Sequence, residues 1–135
     1  MALMTWDSRY SVGVKSLDSQ HTVLFNLVNE LHDAMMKGKA QQVAGSLLTK
    51  LVEYTRNHFA AEESMMSLAQ FPGLAQHKVR HKELLKKVND FVVRYQRGES
   101  TLNVQLLTFL RDWLTTHILR EDHAYSLCMN AKGMK

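Results

Sequence analysis

The chain has 135 residues, 45% of them hydrophobic and 22% charged, a length and balance that suit one ordinary globular domain with a sizeable core. A formal charge of +4 comes from 17 Lys and Arg that are scattered along the chain, which argues against nucleic acid as a partner. No stretch approaches the length of a membrane-crossing helix, and residues 1 to 20 lack the apolar core of a signal peptide. With a single cysteine, Cys128, no internal disulfide forms, and the chain reads as a cytoplasmic monomer.

Taken in order, residues 1–17 are expected to form an extended arm packed over the rest, because TWDSRYSVGV is rich in aromatic and β-branched residues. Asp18 or Ser19 can then cap a first helix whose apolar stripe is Leu24, Phe25, Leu27, Val28, Leu31 and Met35, ending near Gly38. A second helix is expected from about Lys39 to Leu68, carrying Val43, Leu47, Leu48, Leu51, Val52, Tyr54 and Phe59, before the turn Phe71-Pro72-Gly73. The third runs from Leu74 to about Gln96 with Leu84, Leu85, Val88, Phe91, Val92 and Tyr95 inward, and Gly98 stops it. Ser100 or Thr101 caps a fourth with Leu102, Leu106, Leu107, Leu110, Trp113, Leu114 and Ile118, and the tail AKGMK is expected to fray. Four helices of similar length with short connections give an all-α, up-down-up-down four-helix bundle. Its expected organisation is a single domain over 1–135, with the arm at 1–17, the bundle at 18–127 and the tail at 128–135.

Histidines and carboxylates recur at the helix ends that this topology brings to one level. They are His21 near the start of the first helix, His58 and Glu62 near the end of the second, His77 and His81 near the start of the third, and His117 with Asp122 near the end of the fourth. The spacing of four within His58/Glu62 and His77/His81 stacks each pair on one helix face. His117 and Asp122 are five apart, which turns them by about 140° on a regular helix. Either Glu121 takes the place of Asp122, or a π-type bulge brings Asp122 inward and leaves Glu121 facing solvent. A lone histidine on an apolar face is more often a hydrogen-bonded core residue than a ligand, but this many buried together is costly unless metal ions compensate. His32, roughly 16 Å along the axis from His21, and His123, beside Asp122, should lie outside the site.

Seven ligands exceed one tetrahedral zinc and suit two ions bridged by both carboxylates, for which imidazole with carboxylate favours iron. If one ion takes His77, His81 and His117 and the other His21 and His58, a bridging oxygen completes six and five ligands, leaving one position open.

The segments HTVLF after LDSQ, HFAAE, HKVRH and HILRED resemble the pattern of the hemerythrins, the non-haem di-iron dioxygen carriers, and most closely the single-domain bacterial members. The similarity spans nearly the whole chain and fills all seven ligand positions. It selects Asp122 over Glu121, makes Glu62 and Asp122 the bridges between the irons, with an oxo or hydroxo group, and divides the histidines three and two. It further implies dioxygen as ligand at the five-coordinate iron of the diferrous form, with no protein acid or base and hence no enzyme activity. Helical offsets then place Phe25, Tyr54, Trp113 and Leu114 as pocket residues, with Leu114 as an apolar wall. An oxygen-consuming enzyme is a possible recipient of the cargo. Two other functions share this architecture: a di-iron oxidase, although ferritin-like oxidases use Glu-x-x-His motifs and a carboxylate-rich shell, and a redox or oxygen sensor acting through a partner.

Overall fold

The computed structural model describes residues 3–38, 40–98 and 104–135. Every regular element among them is helical. A 3-10 turn at Ser8–Tyr10 precedes α1 (Lys15–Met36), α2 (Ala40–Leu68), α3 (Leu74–Gln96) and α4 (Val104–Thr116); a π-helical segment, His117–Asp122, then leads into α5 (His123–Ala131). The expected caps at Ser100 or Thr101, and Leu102, lie outside the described residues, as does the side chain of Val43.

The apolar stripes meet in one large core. Leu24, Val28 and Leu31 of α1 pack with Leu48 and Leu51 of α2, Val88 and Val92 of α3, and Leu107, Leu110 and Leu114 of α4. Each of these side chains is buried, so the core alone draws the four rods together, at about 1.5–3 kcal/mol for each large side chain removed from water. The helices stop where expected: Gly38 and Gly98 adopt φ of 69° and 75°, the left-handed conformation that closes a helix.

Three local expectations are corrected. Helix α1 begins at Lys15, ahead of Asp18 or Ser19, with Val14 at its N-cap and no side-chain cap. Asp18 instead binds the arm, accepting hydrogen bonds from Ser11 Oγ (2.6 Å) and Val12 N (2.8 Å). The arm, expected to be extended throughout, contains the 3-10 turn, stabilised by the Asp7 side chain accepting from Arg9 N. It is packed down as expected, with Met4, Val12 and Val14 buried and Met4 N and O paired to the Asn29 side chain at 2.8 Å each. Finally, the helical part of the chain ends later than the expected bundle boundary at 127, and the AKGMK segment, expected to fray, is tied back. Helix continues to Ala131, Met129 is fully buried, and Met134 N bonds back to Met129 O. A second, smaller core holds this end, joining Met129 and Tyr125 to Val12, Val14, Leu17, Met66 and Ala69.

Candidate metal centre

The start of α1, the end of α2, the start of α3 and the π-helical segment meet at one level. Their seven histidine and carboxylate side chains are all buried, none more than 4% exposed. The two groups that form are Glu62, His77, His81, His117 and Asp122 on one side and His21, His58, Glu62 and Asp122 on the other, with the ligand atoms of each group within 4.8 Å of one another. The two carboxylates belong to both groups.

The atomic arrangement is more specific than the grouping. Glu62 turns Oε1 to His81 Nε2 (3.2 Å) and Oε2 to His21 Nε2 (3.1 Å) and His58 Nε2 (3.4 Å). Asp122 turns Oδ1 to His77 Nε2 (3.0 Å) and His117 Nε2 (3.2 Å), and Oδ2 to His21 Nε2 (3.0 Å). Each carboxylate therefore offers one oxygen to the three-histidine side and the other to the two-histidine side.

Asp122 reaches the site because the chain is π-helical from His117 to Asp122, with the His123 N–H bonded to Ile118 O, five residues back. The widened turn brings Asp122 inward over His117 and leaves Glu121 at the rim. Glu121 is not simply solvated, as the sequence reading expected: it accepts a hydrogen bond from His117 Nδ1 and lies 3.9 Å from Arg80 Nε.

Outward-facing ring nitrogens are held in the same way elsewhere. His58 Nδ1 donates to Gln20 Oε1 (2.6 Å) and His81 Nδ1 to Glu63 Oε2 (2.8 Å). Amide and carboxylate oxygens only accept, so the proton sits on Nδ1, which leaves Nε2 free to offer its lone pair to a metal. Gln20 and Glu63 escaped the sequence reading, although each adjoins a ligand residue, and Glu121 was weighed there only as a substitute for Asp122 or as a solvated acid. Tyr125 also escaped it. Three residues after Asp122 and fully buried, it donates from its hydroxyl to Glu62 Oε2 at 2.6 Å.

Electrostatics and satisfaction both indicate that something cationic belongs here. His58 Nε2, His77 Nε2, Glu62 Oε1 and both oxygens of Asp122 are buried without a hydrogen-bond partner although each faces other polar atoms across about 3 Å. Atoms ligating one ion at about 2.0–2.2 Å lie roughly that far apart from their neighbours. In the protein alone, the carboxylate charges fall on the imidazoles. Burial pushes His21 down, but hydrogen bonds to Asp122 and Glu62 outweigh it and carry it up to about 9. His117 is likewise pushed down by burial and carried up to about 10, by Asp122 first and then Glu121 and Glu62. Burial and the charge of Glu62 oppose ionisation of Asp122, but His117 and His21 hold it far below the usual carboxylate range.

Of the four pocket residues expected from sequence, Phe25, Trp113 and Leu114 are buried in the main core, and Tyr54 is half-buried at its edge, where burial pushes its phenol up. Phe25 meets the arm, edge-on to Trp6 (5.3 Å between centroids) and Tyr10 (5.0 Å). Phe59 was read only as core, yet it stacks flat on His81, with centroids 3.7 Å apart and planes parallel, and meets Trp113 edge-on at 6.5 Å. His32 and His123 lie outside both groups.

A histidine-carboxylate centre between the ends of a helical bundle is the class of protein that fold and geometry define. Residues 12–126 match the Hemerythrin HHE cation binding domain, and the chain belongs to the hemerythrin family. It is 35% identical to the bacteriohemerythrin of Methylococcus capsulatus over 132 residues, covering 97% of this chain and 100% of that protein. The myohemerythrin of Riftia pachyptila is 30% identical over 120 residues, covering 89% of this chain and 88% of that one. A crystal structure of wild-type hemerythrin superimposes with a TM-score of 0.88 at 34% identity, covering 95% of this chain and 98% of the other.

Proposed function

We propose that the protein binds dioxygen reversibly at a pair of non-haem iron ions, for transport, storage or delivery. In this reading His77, His81 and His117 hold one iron, His21 and His58 hold the other, and Glu62 and Asp122 bridge them. The observation that carries it is the division of each carboxylate, one oxygen to each histidine group. Iron, once bound, supplies the electrons and the open coordination position that a small neutral ligand needs.

The side chains of this chain then hold and shield. Tyr125 fixes the position of Glu62, while Gln20, Glu63 and Glu121 fix the planes of His58, His81 and His117. Phe59, stacked on His81, and Trp113, which lines a cleft with His117, put apolar surface beside the site, and we assign Leu114 and Phe25 of the same core to the wall that keeps water from the oxygen-binding position. Holding and shielding are the tasks of a carrier, and we assign no enzymatic step to these residues. Among the described residues no helix is long and apolar enough to cross a membrane, and we place the protein in the cytoplasm, handing oxygen to an oxygen-consuming enzyme.

The test is an absorption spectrum of the iron-loaded, anaerobically reduced protein before and after oxygen is admitted. Two irons per chain and a visible charge-transfer band that appears with oxygen and disappears when oxygen is removed are expected. Irreversible oxidation without such a band favours a di-iron oxidase or a redox sensor and overturns the carrier.

A further inference from the structure

The two histidine groups differ in what stands behind them. On the three-histidine side, His81 Nδ1 donates to Glu63 and His117 Nδ1 donates to Glu121, two carboxylates. On the two-histidine side, His58 Nδ1 donates to the neutral amide oxygen of Gln20, and His21 Nδ1 is buried with no partner. A carboxylate on the far nitrogen of an imidazole fixes the ring and raises its basicity, so it donates more strongly to a metal than an imidazole on an amide or on nothing.

Access differs in the same sense. A cleft of about 500 Å³ lined by Gly73, His77, Arg80, Arg120 and Glu121 opens onto the three-histidine side. A second, of about 360 Å³, reaches His117 between Trp113, Thr116 and Glu121. Glu63 and Glu121, at 26% and 30% side-chain exposure, are reachable from solvent. The two-histidine side is roofed by the arm, with Trp6 over His21 at 6.4 Å between centroids and Trp6 and Tyr10 against Phe25.

From this asymmetry we infer that the centre fills in a fixed order, the three-histidine half first, and that Glu63 and Glu121 are the positioning residues that set the order. The inference rests on the metal-centre reading above. The first ion enters by the clefts and is held by three imidazoles, two of them oriented and backed by carboxylates. It also aligns Glu62 and Asp122, whose second oxygens then complete the half beneath the arm.

The test uses zinc, which is redox-inert, titrated as the metal alone into the metal-free full chain. Native mass spectrometry and calorimetry follow the steps, and nitrogen-15 NMR follows the imidazoles. In the parent protein a one-zinc species dominates at one equivalent, with His77, His81 and His117 resonances moving before those of His21 and His58. Replacing both acids, Glu63→Gln with Glu121→Gln, weakens the first step by about 10–100-fold, so that one-zinc and two-zinc species appear together. Gln20→Ala weakens only the second step, and Gln20→Glu strengthens it. Circular dichroism establishes that each variant is folded before it is compared.

If both halves fill together in the parent protein, or if the double replacement leaves the first step unchanged in a folded chain, the order is refuted while the metal centre stands. Failure to bind zinc at all refutes the centre and the order together.

Discussion

His117 Nε2 lies 3.2 Å from Asp122 Oδ1, although the two residues are five apart and a regular helix would turn them to different faces. The π-helical segment between them produces this closure, and it separates two adjacent acids into different tasks. Asp122 is fully buried and divides its oxygens between the histidine groups, while Glu121 stays at the rim and fixes the outer nitrogen of His117.

The separation predicts opposite outcomes for the two acids. Asp122→Ala removes an oxygen from each half and is expected to reduce iron content well below two per chain. Glu121→Ala leaves the inward donors in place and is expected to retain two irons when iron is in excess, with weakened affinity. His77→Ala should also lose iron, because it removes one of three imidazoles from a single half. Iron quantified per chain after dialysis distinguishes these cases, and full iron in Asp122→Ala would sink the bridging role.

In the metal-free protein the shifted ionisations make stability depend on pH, with a sign that can be worked out. His21 and His117 are raised from 6.5 to about 9 and about 10, so their contribution is complete below 6.5 and is lost as pH rises through 9 to 10. Glu62 and Asp122 are lowered from 4.5 and 3.8, so theirs is present above those values and lost as pH falls below them. The metal-free chain is therefore expected to be most stable between about pH 4.5 and 6.5 and to lose stability steadily toward pH 10. Bound metal replaces the imidazolium protons and should remove the alkaline loss. Thermal unfolding across this range, with and without zinc, measures both arms; a metal-free stability that rises between pH 7 and 10 would contradict the assignment.

Tyr125 is fully buried and its hydroxyl is 2.6 Å from Glu62 Oε2. Tyr125→Phe keeps the ring in its place in the smaller core but takes a donor from a buried carboxylate, a loss worth about 1–3 kcal/mol. The expected result is a lower midpoint of denaturant unfolding with an unchanged slope. Unaltered stability would mean that the other partners of Glu62 compensate fully.

How far the site could be read in the sequence depends on what each residue's position is set by. The pairs His58/Glu62 and His77/His81 were legible because helical spacing alone puts them on one face, and antiparallel packing puts the pairs at one level. His117 with Asp122 was not legible from spacing, since both acids remained open until the resemblance to a family was considered; the π-helical turn is a tertiary choice. The start of α1 was misplaced because Asp18 has a cap's chemistry but spends it on Ser11 and Val12, a contact between arm and helix. The end of the bundle was set too early, at 127, for a similar reason: the residues after it have no apolar periodicity of their own, yet Met129 is buried in, and Met134 packs against, a core completed by residues from α2 and the arm. Gln20, Glu63 and Glu121 are polar residues on a helical surface until the folded chain brings the imidazoles to them.

Leu114 lies one turn before His117 and is 2% exposed in the main core, beside Trp113 in sequence and packed in the same cluster as Phe25 and Phe59. Truncation to alanine leaves every proposed ligand intact, so two irons per chain are expected to remain. It also opens space in a buried apolar wall, at a stability cost of about 2–5 kcal/mol. Water admitted to that space solvates charge that develops when the oxygenated centre decays, which should shorten its lifetime. Leu114→Met, which roughly conserves volume, should keep the lifetime near that of the parent protein and cost less than about 1.5 kcal/mol. The decay of the oxygen-dependent absorption band in air, followed at equal iron loading, makes the comparison. Equal decay in the alanine variant and the parent would show that water reaches the centre by another route, with the clefts lined by His77 and His117 the next to close.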